Sequence, residues 1–186
     1  MIVGLFALLL TSVYGCGDAK EEEKQVESPV PTMEQRILPE DSFGTIENGV
    51  YTATAGALQM TVPENWTVSE ADKTILVAGK EEDSKDCVSV QLSEPDQKFE
   101  SYKKEDFEEY YNTIFDNFSI TDFQRVQVAG LDAIYLEYKF SKDDADIRGY
   151  QYMINGTYTY MLGFTDVSGE MKKDIPAIIE SIEICK

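Results

Sequence analysis

The chain contains no histidine. That removes the commonest general base, the Ser-His and Cys-His nucleophile pairs, and the favoured ligand of catalytic zinc. Hydrolysis would have to rest on carboxylates or a serine–lysine pair, so an enzyme is not expected and no catalytic residue is assigned. Positive charge is also scarce. Sixteen Lys and Arg stand against 35 Asp and Glu, a formal net charge of −19. Such a surface repels phosphate backbones and anionic lipid head groups, which excludes nucleic acid as a partner and keeps the folded part off a bilayer surface. The sequence has no glycine-rich phosphate loop and no CxxC pair, so no cofactor is expected. Calcium loops need a sharp glycine turn and a terminal bidentate glutamate. Neither acidic loop, Glu81, Glu82, Asp83 and Asp86 or Asp143, Asp144 and Asp146, has that spacing. Both read as solvated hairpin tips, with a weak calcium site as the alternative and no metal ligand assigned. No apolar run reaches the roughly 20 residues of a spanning helix; the stretch near the amino terminus has about 12.

That short stretch suits the apolar core of an export signal, with a small residue before the cleavage point. Val13, Tyr14, Gly15 and Cys16 resemble the lipobox of bacterial lipoproteins, in which an aliphatic, a variable and a small residue precede the acceptor cysteine. Tyr14 is bulkier than the usual Ser, Thr or Ala, and no Lys or Arg follows Met1, so a start further upstream is one alternative. The resemblance implies that residues 1–15 are a signal peptide and that Cys16 carries a diacylglycerol. Two acyl chains anchor stably where one is marginal. An ordinary cleaved signal peptide is the other alternative. Residues 16–48 then read as the lipidated cysteine and an acidic tether. Glu21, Glu22, Glu23 and Glu27 supply charge, Pro29, Pro31 and Pro39 oppose regular structure, and few apolar residues offset the entropy of ordering. Within it, Ile37, Leu38, Phe43 and Ile46 are placed to dock weakly on the domain edge.

With Cys16 acylated, Cys87 and Cys185 remain, an even pair in an exported protein. A disulfide between them would close a loop of roughly 100 residues and stabilise by up to ~4–5 kcal/mol in the chain-entropy model. It requires Cα atoms roughly 4.4–6.8 Å apart; two thiols are the alternative.

Residues 49–186 form the folded domain. Segments 51–55 and 57–62 alternate in the strand manner, with Leu58, Met60 and Val62 on one buried face. Trp66, the single tryptophan, reads as a core plug beside the turn at Pro63. Strands follow at 74–80 and 87–92. Phe107, Tyr110, Tyr111, Ile114, Phe115 and Phe118 recur at three- and four-residue spacing and predict one helix with an apolar stripe. Ser101 or Asp106 is placed to cap it. Strands then run over 123–128, 131–140, 147–154 and 157–165, with Ile134, Leu136, Tyr138 and Phe140 sharing a face and Asn155-Gly156 as a tight positive-φ turn. A closing helix has Asp174 as cap, Pro176 in its first turn and Ile178, Ile179 and Ile182 inward. Antiparallel neighbours with one central and one terminal helix make an α+β sandwich.

The order resembles the PsbP/Mog-like family over about residues 51–184. Val62, Pro63, Glu64, Asn65 and Trp66 resemble the family's opening turn, and Val126 through Gly130 to Ile134 its glycine-joined strand pair. Residues 147–164 resemble its long hairpin, and Ile178, Ser181 and Ile182 its terminal segment. The resemblance implies an antiparallel sheet flanked by helices, an α/β/α sandwich. Family members include a small-GTPase partner, extrinsic subunits of the photosynthetic oxygen-evolving complex and bacterial envelope lipoproteins. The implied role is a non-enzymatic binding or assembly module for another envelope component, anchored in the membrane and facing outside the cytoplasm. Such a module is expected to expose an apolar docking patch. The alternative is a solute- or glycan-binding lipoprotein of unknown ligand, with tyrosines of the outer sheet face such as Tyr135 lining its site.

Overall fold

Strand-type alternation organises most of the chain in the computed structural model, which describes residues 44–53, 58–68, 75–77, 86–142 and 145–184. Eleven strands and two helices occur among them. The strands are β1 (Thr45–Glu47), β2 (Val50–Thr52), β3 (Leu58–Thr61), β4 (Thr67–Val68), β5 (Ile75–Val77), β6 (Cys87–Ser93), β7 (Asp116–Val128), β8 (Leu131–Lys142), β9 (Ala145–Asn155), β10 (Thr159–Asp166) and β11 (Glu183–Ile184). Helix α1 (Lys104–Tyr111) follows a 3-10 turn at Phe99–Ser101, and α2 (Ile175–Glu180) follows another at Met171–Lys173. All pairings are antiparallel. The strands form two sheets, seven in the order β4-β5-β6-β10-β9-β8-β7 and four in the order β1-β2-β3-β11.

The large sheet is apolar on both faces at its centre, and every residue of β10 except Thr165 is buried. One face carries Val88, Val90, Tyr150, Ile154, Leu162 and Phe164, packed with Leu58 and Met60 of the small sheet and with Ile175 and Ile178 of α2. The opposite face carries Ile134, Leu136, Tyr138, Phe140 and Met153, covered by Phe99, Phe107 and Tyr111. The layers are therefore α1, the large sheet, and then the small sheet with α2. The fold is α+β as expected, but the outer layer beside α2 is itself a sheet. Ser181 links the two parts, accepting from the Thr61 amide at 2.9 Å and donating to the Ile178 carbonyl at 2.7 Å.

Several local expectations change. The predicted helix keeps its apolar stripe but ends at Tyr111. Asn112 Nδ2 donates to the Glu108 carbonyl and Thr113 Oγ1 to the Tyr110 carbonyl, at 2.7 and 2.6 Å. Short polar side chains that bond backbone carbonyls in this way compete with helix continuation. Ile114, Phe115 and Phe118 still join the α1 cluster from the turn and from β7. Ser101 does not cap: its hydroxyl donates to the Lys98 carbonyl at 2.7 Å. Asp106 caps from inside the helix, accepting from the Lys103 amide at 2.8 Å.

Asn155-Gly156 is not a positive-φ turn. Left-handed pairs occur instead at Asn48-Gly49, between β1 and β2, and at Ala129-Gly130, between β7 and β8, with Asn117 and Gly169 as single left-handed residues among those described. Residues 156–158 connect β9 to β10 as a longer loop, since Thr159 already pairs with Asn155. The folded part also reaches back to Thr45, where β1 pairs with β2 and Ile46 lies against the core. Of the other segments with sequence expectations, Cys16, residues 1–43, Glu81, Glu82, Asp83, Asp143, Asp144 and Cys185 lie outside the described residues.

Arg125 on β7 fixes the approach to α1. Its Nη2 donates to the carbonyls of Phe99, Glu100 and Tyr102 at 3.4, 3.0 and 3.0 Å, and its guanidinium lies 5.6 Å from the Phe99 ring centre. Charge-assisted bonds to carbonyls that end a helical turn are worth more than neutral ones. Arg125→Met, which keeps the aliphatic stem, is expected to cost about 1–2 kcal/mol in a denaturant titration. Faster amide exchange over residues 99–107 should accompany the loss.

Candidate functional site

Pairing register places the described polar groups of the large sheet. Asp122, Glu137 and Tyr150 lie side by side across β7, β8 and β9, and Gln124, Tyr135 and Tyr152 form the next row. Both rows share the face that carries the small sheet and α2 further along. Toward β7 that cover thins. Gln124 is exposed, while Asp122, Tyr135, Glu137 and Tyr152 are half-buried. The Tyr135 and Tyr152 ring centres are 5.0 Å apart at 47°. The result is a platform of paired rings and carboxylates beside the turn that leads into α2.

Two carboxylates directly opposite across paired strands repel. Each is partly answered. Lys172 Nζ donates to both oxygens of Glu137, at 3.0 and 2.9 Å, and sits 5.4 Å from the Tyr150 ring centre. The hydrogen bond to Glu137 raises the Lys172 pKa, so the ammonium stays charged. Asp122 receives only the Gln124 amide, at 2.6 Å, and has no cationic partner among the described residues. The Tyr135 hydroxyl donates to Glu137 at 3.4 Å. Burial pushes its pKa above the usual phenol range, and Glu137, Tyr152 and Asp122 push it further in the same direction. The field at that hydroxyl is therefore negative.

At the end of the same face, two acids shape the loop after β10. Asp86 Oδ1 accepts from the amides of Val167 and Ser168 at 2.7 and 2.9 Å, and Oδ2 accepts from the Ser168 hydroxyl. Asp166 Oδ1 accepts from the amides of Gly169 and Met171 at 2.8 and 3.2 Å. Asp86, read from sequence as part of a solvated loop, is thus a buried structural acceptor. Asp86→Ala leaves those donors unmatched and is expected to cost about 2 kcal/mol, with Asp86→Asn losing less because one acceptor oxygen survives. Thermal melts of the two variants check the order.

Cys87 opens β6 next to Asp86 and pairs with Thr165 on β10; its proposed bonding partner lies outside the described residues. Trp66 is buried in the core as expected. Tyr135 lies not on an outer face but, half-buried, on the large-sheet face that packs against the small sheet and α2, at the margin of that core. Tyr152, Glu137, Asp122 and Lys172 escaped sequence reading. Alternation alone would have put Tyr135 and Glu137 on one face, but nothing local shows that Lys172 folds back onto Glu137. The expected apolar docking patch is not on the described surface, where Val167, 39% exposed, is the only exposed large hydrophobic residue. The other apolar side chains near the surface are half-buried along the margins of the two core clusters. No three metal-binding side chains gather among the described residues. No helix among them is long and apolar enough to cross a membrane.

No protein-family model matches the chain, and no curated protein matches it in sequence. Solved structures do resemble it. A Bacteroides thetaiotaomicron protein matches with a TM-score of 0.51 at 13% identity over 78% of this chain and 49% of its own. The chain thus spans about half the length of that structure. LpqN of Mycobacterium tuberculosis, involved in cell envelope biogenesis, matches with a TM-score of 0.50 at 14% identity, covering 69% of this chain and 83% of LpqN. The cyanobacterial PsbP (CyanoP) of Synechocystis sp. PCC 6803 matches with a TM-score of 0.51 at 13% identity, over 73% of this chain and 91% of its own. At such identities the likeness is one of fold. The fold is PsbP-like, as the sequence resemblance implied.

Proposed function

We propose that the protein is a lipid-anchored, extracytoplasmic binding or assembly module, without enzymatic activity of its own, serving another component of the cell envelope. The observation that carries this reading is the run from Val13 to Cys16, followed by an acidic, proline-interrupted tether. A diacylated Cys16 would hold the domain at the outer face of the membrane, and the tether would let it reach a partner. Two further points support it. The platform on β7, β8 and β9 sets paired aromatic rings beside carboxylates, a composition suited to recognition. LpqN, which shares the fold, is involved in cell envelope biogenesis.

Intact-mass measurement of detergent-extracted protein tests the anchor. A mature form beginning at Cys16 and carrying diacylglycerol is expected, and Cys16→Ala should release the domain from membranes. A mature chain that retains the leader, or begins past Cys16 without acyl mass, overturns the reading. Crosslinking at the cell surface tests the role, with a reproducible protein partner expected.

The Tyr135–Tyr152 pair favours one second reading, a solute- or glycan-binding lipoprotein, because half-buried rings form stacking surfaces for sugars. A bound sugar or peptide recovered without any protein partner would select it over the first.

A further inference from the structure

The large-sheet face at Asp122, Gln124, Tyr135, Glu137 and Tyr152 already displays one cation-binding mode, using the chain's own Lys172. That ammonium meets the Glu137 carboxylate at 2.9 Å and lies over the Tyr150 ring. Next to it the same elements recur without a cation among the described residues: Asp122, in the row of Glu137, stands diagonal to Tyr135 of the next row, whose ring pairs with that of Tyr152. We propose that Asp122 and the neighbouring Tyr135–Tyr152 row are the docking site for a lysine- or arginine-bearing segment of the partner polypeptide, its cation lying over the tyrosine pair and reaching Asp122. The proposal rests on the assembly-module reading and supplies the chemistry of its partner.

Charge complementarity identifies the occupant. Asp122 and Glu137 face each other across β7 and β8, and Lys172 neutralises Glu137 alone. An incoming cation at Asp122 relieves the remaining repulsion, and aromatic faces add attraction for it. The chain's net charge of −19 steers basic partners toward it and rejects acidic ones. The described surface offers no apolar patch that would select an apolar partner instead. A protein segment is favoured over an isolated amine because the two rows extend across three strands, giving successive basic side chains successive positions.

The test uses the full chain and a tetralysine peptide as probe, titrated by heat or by tyrosine fluorescence at physiological salt. Asp122→Asn is expected to weaken binding by about 3–10-fold. Asp132→Asn, on β8 but on the opposite face, should change it by less than about 2-fold. Lys172→Met, which removes the competing internal cation and frees Glu137, should tighten binding. Equal losses from Asp122→Asn and Asp132→Asn would reduce the effect to overall charge and overturn the proposal, as would no change in Asp122→Asn or weaker binding in Lys172→Met. Surface crosslinking of the Asp122→Asn variant separates this from the broader reading. A partner captured as well as by the natural chain removes the site and leaves the assembly role standing, whereas no partner with either chain removes the role itself.

Discussion

Gly149→Val is expected to destabilise the fold by about 3 kcal/mol, and Gly149→Ala by about 2. Gly149 on β9 pairs with Tyr138 on β8, and the tyrosine ring lies flat over the glycine. An added Cβ would stand 2.2 Å from the ring carbons Cε2 and Cζ. The ring has little freedom to yield. It packs against Tyr111, Phe118 and Phe140 at centroid distances of 5.9, 5.3 and 6.2 Å, inside the cluster under α1. Strand propensity alone would predict that valine helps here, so the sign of the effect isolates the packing term. Chemical denaturation of Gly149→Ala in the natural and Tyr138→Leu backgrounds checks the cause. The alanine should cost less where the smaller side chain leaves room, and equal costs in both backgrounds would disprove the contact.

Alkaline unfolding is the second large effect. Tyr111 and Tyr138 are buried, and burial raises both phenol pKa values above the ordinary value of 10. Tyr51 and Tyr110 are pushed up to about 12, again by burial. Below pH 10 folded and unfolded chains both keep these protons, and the full stability is present. Above it, the unfolded chain releases protons that the folded chain still holds, so stability falls as pH rises toward the folded values. Each such phenol contributes a slope of about 1.4 kcal/mol per pH unit. Tyr111 and Tyr138 together remove about 2.7 kcal/mol for each unit, against a total stability on the order of 5–15 kcal/mol. The part of the 295 nm absorbance change that belongs to the buried phenols should therefore coincide with the loss of far-ultraviolet circular dichroism, in one cooperative step above about pH 11. Full phenolate absorbance near pH 10 with the circular dichroism intact would contradict the burial. Tyr138→Phe removes one group and should flatten the step.

Much of the fold was legible because alternation reports burial directly. Ile134, Leu136, Tyr138 and Phe140 on β8, and Tyr160, Leu162 and Phe164 on β10, face the core as period-two reading requires. Turn chemistry was legible only in part. Asn-Gly dipeptides occur at both Asn48-Gly49 and Asn155-Gly156, and only the first adopts positive φ at both residues. At the second, the pairing of Thr159 with Asn155 lengthens the loop, a consequence of strand register that no dipeptide carries. The aromatic stripe at 107–118 was right as a cluster and wrong as a single helix. Its later members reach the same core from a turn and a strand, and Asn112 and Thr113 close the helix between them.

The sequence by itself determined the lack of histidine chemistry, the acidic surface, the lipobox-like run at Cys16 and the alternation that makes the domain α+β. These follow from residue type and short-range period, which need no knowledge of distant contacts. Tertiary structure alone decided that the strands divide into two sheets, with β11 closing onto β3. It also decided that Asp86 shapes a loop 81 residues away and that Lys172 reaches Glu137, leaving Asp122 beside the tyrosine pair. Each of those depends on which strands become neighbours and in what register. That choice is made by the burial of the whole core and is written in no single segment.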